Sequence, residues 1–386
     1  MSIASSARIK NPFKPGKPVD PEYFGGRKKE LERFKQYLDY SAGGNPHNLA
    51  ILGERGIGKS SVLRKFQEIA TSDQNECVVV RRELDASVDS LTSLTLFLLE
   101  ALKSEGSSFA SSKRKAASKV ISFFSNYKVG VSVLGHGLSL ERIASRSVPI
   151  QDYFYTELMH IWEGSKEGTK GIVLLIDEAE YLQSITGAWS FLRSVFTRVS
   201  EQDAGYMLVV SGKLSLFRGI KEIFSPIERF FTPLEIMPML EEEVRETLQK
   251  PLQQSLKARI GVNAIRRIFQ YSGGHPYIVQ TFGLYIFEES ERRMGATRGI
   301  EIDEATVERI LPKVMSRLTS QIFKDRFDQT SPLERKVLLV VSNLSSAGGQ
   351  EVTPQQVAKQ EGLKKQQLAI RTILGRLVDK DCLIKT

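Results

Sequence analysis

Two short segments of this 386-residue chain carry residue types whose spacing is suited to phosphate chemistry. The first is Gly53–Ser61, GERGIGKSS, which fits the pattern G-x-x-x-x-G-K-[ST]. The apolar run Asn48–Leu52 before it predicts a buried strand, and Ser61–Ala70 after it has apolar residues at helical spacing. Strand, glycine loop and helix form the context that this motif requires. The segment therefore predicts a binding loop for a nucleoside triphosphate.

The residues of this loop have separate tasks. Its glycines allow backbone N–H groups to turn toward phosphate oxygens at a helix N-terminus. Lys59 is expected to reach the β- and γ-phosphates, and the Ser60 hydroxyl to ligate Mg²⁺. ATP and Mg²⁺ are thus the predicted cofactors. The predicted nucleotide-binding residues are Gly53, Glu54, Arg55, Gly56, Ile57, Gly58, Lys59, Ser60 and Ser61.

The second segment is Gly171–Leu182, GIVLLIDEAEYL. Its uninterrupted apolar run, Ile172–Ile176, predicts a parallel strand covered on both faces. Asp177, at the strand tip, is suited to holding Mg²⁺ through its water shell, and Glu178 to orienting or deprotonating the attacking water. The alternative is that both acids only cap a helix and complement its dipole. Beside the glycine loop, the pair predicts that the nucleotide is hydrolysed.

Composition limits the class of protein. Hydrophobic residues make up 41% and charged residues 26% of the chain, as in ordinary globular proteins. No apolar run of about eighteen residues predicts a membrane span, and the N-terminus has no signal-like apolar core. The two cysteines, Cys77 and Cys382, form no C-x-x-C pair, which favours a reducing, cytoplasmic location. A net charge of +9 indicates a polyanionic partner such as nucleic acid.

With these motifs in place, the chain resembles the AAA+/STAND group of P-loop ATPases, near the archaeal ATPase and origin-recognition-like branch. The resemblance implies an α/β fold: a parallel-sheet core, a helical lid and a helix-rich winged-helix domain. The segments that carry it are the N-terminal stretch with Phe24-Gly25-Gly26-Arg27, the two motifs above, Ser225–Leu252, and Tyr271–Gln280 with Gly274-His275-Pro276.

The family pattern also implies roles for individual residues. The N-terminal stretch 11–34, which contains Phe24-Gly25-Gly26-Arg27, is expected to wrap adenine and ribose. A third strand, Tyr206–Ser211, is expected between the two motif strands, with Ser211 sensing the γ-phosphate; a plain strand-end turn is the alternative. Pro276 is expected to pack near the base, although proline also suits the first turn of a helix.

The lid motif distinguishes branches of the family. Origin-recognition-type initiators usually carry a lid arginine after a Gly-Asp pair, whereas the corresponding place here reads Gly-His-Pro. The pattern therefore favours a STAND-like lid and counts against a replication initiator. Arg229 is the predicted finger reaching a neighbouring subunit's γ-phosphate, which would imply a homo-oligomer; a surface arginine paired with Glu228 or Glu222 is the alternative.

Domain boundaries follow from composition and pattern. We expect a nucleotide-binding core over 1–237, a lid over 238–318, a linker over 319–330 and a winged helix over 331–386. Residues 104–147 form a predicted basic insert within the core, with Phe123, Phe124 and Tyr127 interleaved among its cations. Such an element is suited to contacting nucleic acid, but a solvated surface excursion is the commoner case.

The last 56 residues predict helix, strand, helix, helix, strand, the order of a winged helix-turn-helix, although the chain stops before a full hairpin wing. They hold nine Lys or Arg against five Asp or Glu. Cations there can neutralise phosphates, and glutamine can pair with adenine edges. The predicted contacts to double-stranded DNA are Lys364, Lys365, Gln366, Gln367 and Arg371.

The sequence as a whole predicts a slowly hydrolysing ATP switch that couples nucleotide state to DNA binding. The alternative is a signalling or defence scaffold of the STAND type, whose winged helix contacts proteins rather than DNA.

Overall fold

The structure is a computed structural model that describes residues 9–109, 114–127, 149–214, 227–293, 300–348, 352–360, 363, 369–380 and 382–383. In these ranges no helix is both long enough and apolar enough to cross a membrane. The strands are β1 Asn48–Leu52, β2 Val78–Glu83, β3 Ile172–Asp177, β4 Tyr206–Gly212, β5 Phe231–Glu235, β6 Arg259–Ile260 and β7 Glu301–Ile302.

The helices fall into three groups along the chain. Those of the first group are α1 Lys28–Ala42, α2 Lys59–Thr71, α3 Leu91–Ser107, α4 Arg114–Asn126, α5 Ile150–Ser165, α6 Ala188–Ser200 and the four-residue α7 Ile227–Phe230. The second group, the lid helices, comprises α8 Glu241–Leu256, α9 Val262–Ser272, α10 Pro276–Arg293 and α11 Glu304–Leu318. The third comprises α12 Lys324–Asp328, α13 Pro332–Gly348, α14 Pro354–Ala358 and α15 Ile370–Asp379.

The main sheet has five parallel strands in the order β2-β3-β4-β1-β5. The predicted third strand, β4, therefore lies between the two motif strands, as expected. The segment Ser225–Leu252, predicted to link the last core strand to the lid, contributes a further strand of its own. That strand, β5, pairs with β1 from Asn48 opposite Phe231 to Leu52 opposite Glu235.

Both faces of the sheet are buried, which explains the apolar strand sequences. In β1, Ala50 and Leu52 join the cluster that α3 to α6 cover, whereas Leu49 and Ile51 join the cluster that α1 and α2 cover. Successive side chains of a strand point to opposite faces, so a strand covered on both sides is apolar throughout. The glycine loop follows β1 directly, so it begins at a strand that is packed on both faces.

The described part of the predicted insert is packed rather than solvated. Its helix α4 lies against α3 and α5, and Phe124 and Tyr127 are 0% and 5% exposed. The Tyr127 hydroxyl donates to the Glu157 carboxylate. These two rings are therefore core residues, not platforms for bases, and the expectation of a surface excursion is wrong for this helix. Residues 110–113 and 128–147 lie outside the described part of the chain.

The lid helices have their own hydrophobic cluster, to which Phe13 of the N-terminal segment contributes at 2% exposure. The short strands β6 and β7 pair in parallel within the lid. The predicted linker is itself helical: a π-helical turn, Thr319–Phe323, leads directly into α12. We call Thr319–Asp328 the connector. π-Helical turns occur often at functional sites.

The C-terminal helices α13 to α15 also share a small cluster of their own. Helix α13 begins with a capping box, because the Glu334 carboxylate accepts from Ser331 N at 2.7 Å and Glu334 N donates to the Ser331 hydroxyl at 3.3 Å. In α15, the helically spaced residues Ile370, Ile373 and Leu377 are buried. The two strands expected after 331 fall largely on residues outside the described part of the chain, so they stay predictions.

Candidate nucleotide site

The glycine loop connects β1 to α2 through two residues with left-handed backbone. Gly56 has a φ of +81° and Gly58 a φ of +100°, values that glycine adopts without steric cost. Helix α2 then begins at Lys59, whose ammonium donates to the carbonyls of Gly53 at 3.0 Å and Glu54 at 3.1 Å. The loop thus brings a cation and a helix N-terminus to one place, the arrangement that binds phosphate.

The acidic residues stand at the end of β3, on the same sheet edge as this loop. Asp177 is 7% exposed, and its Oδ1 accepts from Glu178 N at 3.0 Å and from the Ser211 hydroxyl. Ser211 is fully buried on the neighbouring strand β4. Its hydroxyl donates to Asp177 and helps to orient that carboxylate, and the γ-phosphate sensing expected of Ser211 stays a prediction.

Glu178 differs from Asp177 in backbone and in surroundings. Its φ of +53° and ψ of +45° are left-handed, which is uncommon for a residue with a side chain and is found at functional sites. The side chain does not cap the short 3₁₀ helix that follows. Partial removal from water and the nearby carboxylates of Glu180 and Asp177 raise the pKa of Glu178, while Lys59 opposes the shift. The carboxyl is therefore a stronger base than an ordinary glutamate.

These elements open onto one cavity of about 570 Å³. Only Glu178 is acidic among the residues lining it, whereas seven are cationic. From the glycine loop and sheet edge the lining residues are Arg55, Gly56, Gly58, Lys59, Ser60, Ser61, Glu178 and Lys213; from the rest of the chain they are Lys14, Gly16, Lys17, Pro18, Val19, His275, Pro276, Tyr277, Gln280, Gln321, Arg326, Gln329 and Lys380. A cavity with this charge fits a polyanion.

Three residues predicted to bind nucleotide do not line this cavity. Gly53, Glu54 and Ile57 belong to the loop, but Ile57 is 1% exposed and packs into the core. A side chain on Gly53 would meet Ile57 Cγ2 at 2.8 Å and the Ile236 carbonyl at 3.1 Å. Gly53 and Ile57 therefore pack the loop against the core on the side away from the cavity.

The N-terminal segment borders the cavity with part of the stretch expected to wrap the nucleotide. Lys14 and residues 16–19 line it, whereas Phe24 and Gly25 line a separate groove against α8. Val19 N donates to the Ser61 hydroxyl at 3.1 Å, and Asp20 pairs with Lys14 at 2.9 Å and Arg64 at 2.8 Å. These bonds tie the segment to α2, and its wrapping of adenine and ribose stays a prediction.

Arg27, which the sequence placed near the nucleotide, instead braces the loop from inside the protein. It is 3% exposed and donates to the carbonyls of Met237 at 2.5 Å and Ile57 at 3.3 Å, and its backbone N donates to Glu243 at 2.6 Å. Burial is the largest influence on this guanidinium and lowers its pKa, with Glu30 and Glu243 opposing. Arg27 joins the glycine loop to the segment that leads into the lid.

The predicted lid motif lies directly against the glycine loop. His275 is so close that a side chain on Gly56 would meet its Cε1 at 3.0 Å, and Pro276 begins α10 beside Gly58. Gly274 packs on Met239: its carbonyl accepts from Met239 N at 2.8 Å, and a Cβ would stand 2.0 Å from the Met239 carbonyl oxygen. Pro276 thus lines the cavity, where its role in packing near the base stays a prediction.

Two adjacent glycines provide a test of this contact. Gly273→Ala adds a methyl group in open space at a φ of +55°, so we expect a loss of about 1 kcal/mol in the free energy of unfolding. Gly274→Ala adds the same group at a φ of +73° and drives it into the Met239 carbonyl, so we expect about 3 kcal/mol or more. Urea unfolding of both variants measures the difference; equal losses would show that the contact with Met239 is unimportant.

The remaining predicted residues lie apart from the cavity. Arg229 is exposed on α7, and its role as a finger toward a neighbouring subunit stays a prediction. Arg371 is exposed on α15, whereas Lys364, Lys365, Gln366 and Gln367 lie outside the described residues. Nothing in the sequence indicated that Arg326, Gln329 and Lys380 line the cavity. No motif marks them, because only folding brings their distant segments together.

Comparison with known proteins agrees with this arrangement. A family model described as an AAA ATPase domain matches residues 23–210. No curated protein matches the chain. A Walker-type ATPase of Pyrococcus abyssi is similar in fold at 15% identity and a TM-score of 0.57, covering 94% of this chain and 91% of that one.

The ORC2 protein of Aeropyrum pernix, in its ADPNP and ADP complexes, is similar at 14% identity and a TM-score of 0.56, with coverages of 94% and 89%. Its ADP form gives 15% identity and a TM-score of 0.53, with coverages of 97% and 90%. These likenesses extend over nearly the whole chain and establish the fold. The chain thus has the P-loop AAA+ fold of these archaeal proteins, and its residues 23–210 match the model of an AAA ATPase domain.

Proposed function

We propose that the chain is an ATP-driven switch: it binds ATP with Mg²⁺ in the 570 Å³ cavity, hydrolyses it slowly and uses the bound nucleotide to control DNA binding by its C-terminal helices. The observation that carries the proposal is the meeting of Lys59, Ser60 and Glu178 in one cavity at the end of a parallel sheet. Phosphate-binding groups and a base then face the same substrate.

The residues at the sheet edge also suit Mg²⁺. The Ser60 hydroxyl and the Asp177 carboxylate are hard oxygen donors, and Ser211 and Glu178 N hold one Asp177 oxygen. Within the described ranges no cluster of three or more His, Cys, Asp or Glu side chains could hold a metal by itself. This donor set fits a cation that is bound jointly with a nucleotide, and Mg²⁺ would neutralise charge on the phosphates.

Glu178 supplies the base in this proposal. Its raised pKa strengthens it as a proton acceptor, and in its ionised form it can orient and deprotonate the attacking water. Lys59 places its positive charge on the β- and γ-phosphates, where negative charge accumulates during the reaction. Slow turnover is expected, since a switch requires each nucleotide state to persist.

Support for DNA as the partner comes from charge. The chain carries +9 overall, and its last 56 residues hold four more cationic than acidic side chains, nine against five. Arg371 is exposed on α15 and available to a phosphate. The burial of Phe124 and Tyr127 removes the aromatic argument for the insert, so the proposed contact rests on the C-terminal helices.

Duplex binding measured by fluorescence anisotropy, with and without ATP, tests the proposal. We expect binding that changes with ATP and falls steeply with salt, because released counterions give a linear decrease of log affinity with log salt. Arg371→Ala should make the slope of log affinity against log salt shallower by about one unit, the contribution of one phosphate contact. If no duplex binds at low salt while ATP still binds, the protein-recruiting scaffold becomes the better description.

A further inference from the structure

The wall of the cavity opposite the glycine loop comes from the connector and the C-terminal helices. Gln321 and Arg326 lie in the connector, Gln329 follows it, and Lys380 follows the last described helix, α15. The lid itself contributes His275, Pro276, Tyr277 and Gln280, none of which is an arginine or lysine. The permanent cations of this wall therefore come from beyond the lid.

These residues belong to one packed unit. Lys380 donates to the Gln329 carbonyl at 2.9 Å and to the Glu334 carboxylate at 2.7 Å. Arg335 of α13 donates to the carbonyl of Phe327 at 3.2 Å and stacks on its ring at 4.5 Å. The connector and the C-terminal helices are thus joined by direct contacts, so a displacement of one is coupled to the other.

The connector is tied to the lid as well. The Tyr277 hydroxyl, one residue after Pro276, donates to Gln321 at 2.8 Å, and Gln321 lies in the π-helical turn. The connector is therefore hydrogen-bonded to the lid helix that begins at the lid motif, and this motif contacts the glycine loop. This chain of contacts joins the phosphate-binding loop to α12 without leaving the border of the cavity.

We propose that Arg326 binds the polyphosphate of the nucleotide held by the glycine loop, with Lys380 as a second cation. The inference rests on the proposed nucleotide binding. It adds the side chain through which the C-terminal helices would contact the bound nucleotide. Arg326 is the stronger candidate, because a guanidinium bonds phosphate in a fixed, bidentate geometry, whereas an ammonium acts as a point charge.

The physical consequence is a direct contact between nucleotide and C-terminal helices. A polyphosphate attracts Arg326 and Lys380 and draws the connector toward the loop. A nucleotide with fewer phosphates carries less negative charge, attracts these cations less strongly and lets the connector move away from the loop. The position of the C-terminal helices then depends on nucleotide state without a relay through the subunits of an oligomer.

Nucleotide affinity of the full-length chain tests the role of Arg326. We expect Arg326→Ala to weaken ATP binding about tenfold to a hundredfold, the usual effect of losing a hydrogen bond between charged groups, and to leave AMP binding nearly unchanged. Arg376→Ala is the matched control, since Arg376 is exposed on α15 and does not line the cavity. Titration calorimetry with ATP, ADP and AMP gives all the required affinities.

The possible outcomes separate this inference from the proposal beneath it. A wild-type chain that does not bind ATP would overturn nucleotide binding itself. Wild-type ATP affinity in Arg326→Ala, or equal losses for ATP and AMP, would overturn only the contact with polyphosphate. Should Arg326→Ala fold poorly, Arg326→Gln provides the same comparison. Hydrogen exchange over residues 319–329 adds a structural readout, because ATP should protect this segment in the wild type and not in the variant.

Discussion

Replacing Lys59 by alanine should abolish ATP binding, with an affinity at least about a hundredfold below that of the wild type. The ammonium is the cation of the glycine loop and donates to two of its carbonyls. Its removal deletes a charge-assisted contact to the β- and γ-phosphates and two hydrogen bonds within the loop. Titration calorimetry with ATP measures the loss.

Lys29→Ala is the matched control for this change, because Lys29 is an exposed lysine on α1, away from the cavity. It should bind ATP as the wild type does. Thermal unfolding of the nucleotide-free variants shows whether Lys59→Ala still folds. Retained ATP affinity in a folded Lys59→Ala protein would contradict the assignment of the loop.

Glu178→Gln should stop hydrolysis while preserving ATP binding. Removal of the base is expected to lower the hydrolysis rate about 10²- to 10⁴-fold, the usual contribution of general base catalysis. The amide has nearly the same shape and carries no charge beside the phosphates, so affinity should be equal or higher. Phosphate release and ATP titration on the same preparation measure the two quantities; normal turnover would remove Glu178 as the base.

The raised pKa of Glu178 also predicts a pH profile. The base acts only when it is deprotonated, so kcat/KM should fall as the pH drops through this raised pKa, at a higher pH than an ordinary glutamate would give. Glu180→Gln removes a neighbouring charge that raises this pKa, and should therefore move the acid limb to lower pH. An unchanged limb would show that another group controls the profile.

Local pattern was sufficient to predict β1, β3 and the phosphate loop between β1 and α2. Gly56 and Gly58 adopt the left-handed backbone that their motif requires, and β1 and β3 are buried on both faces as their apolar runs indicated. The order of β3, β4 and β1 followed from the resemblance and is confirmed. These features depend on neighbouring residues in the chain and on general rules of sheet packing.

The contacts of single side chains could not be predicted where a distant residue supplies the partner. Ser211 is 34 positions from Asp177, and only the pairing of β3 with β4 brings its hydroxyl to that carboxylate. Phe124 and Tyr127 have cationic neighbours in the sequence, yet α4 buries both rings against α3 and α5. Their burial is favoured because the transfer of apolar surface out of water lowers the free energy.

The sequence alone determined that a phosphate-binding loop and an acidic strand tip occur in one parallel sheet, since each is a local pattern with its own backbone geometry. The tertiary structure decided what surrounds them. Residues 14–19, the lid motif, Arg326 and Lys380 reach the same cavity only after three helical groups have packed. Their positions depend on the summed burial of distant apolar faces, which no local spacing records.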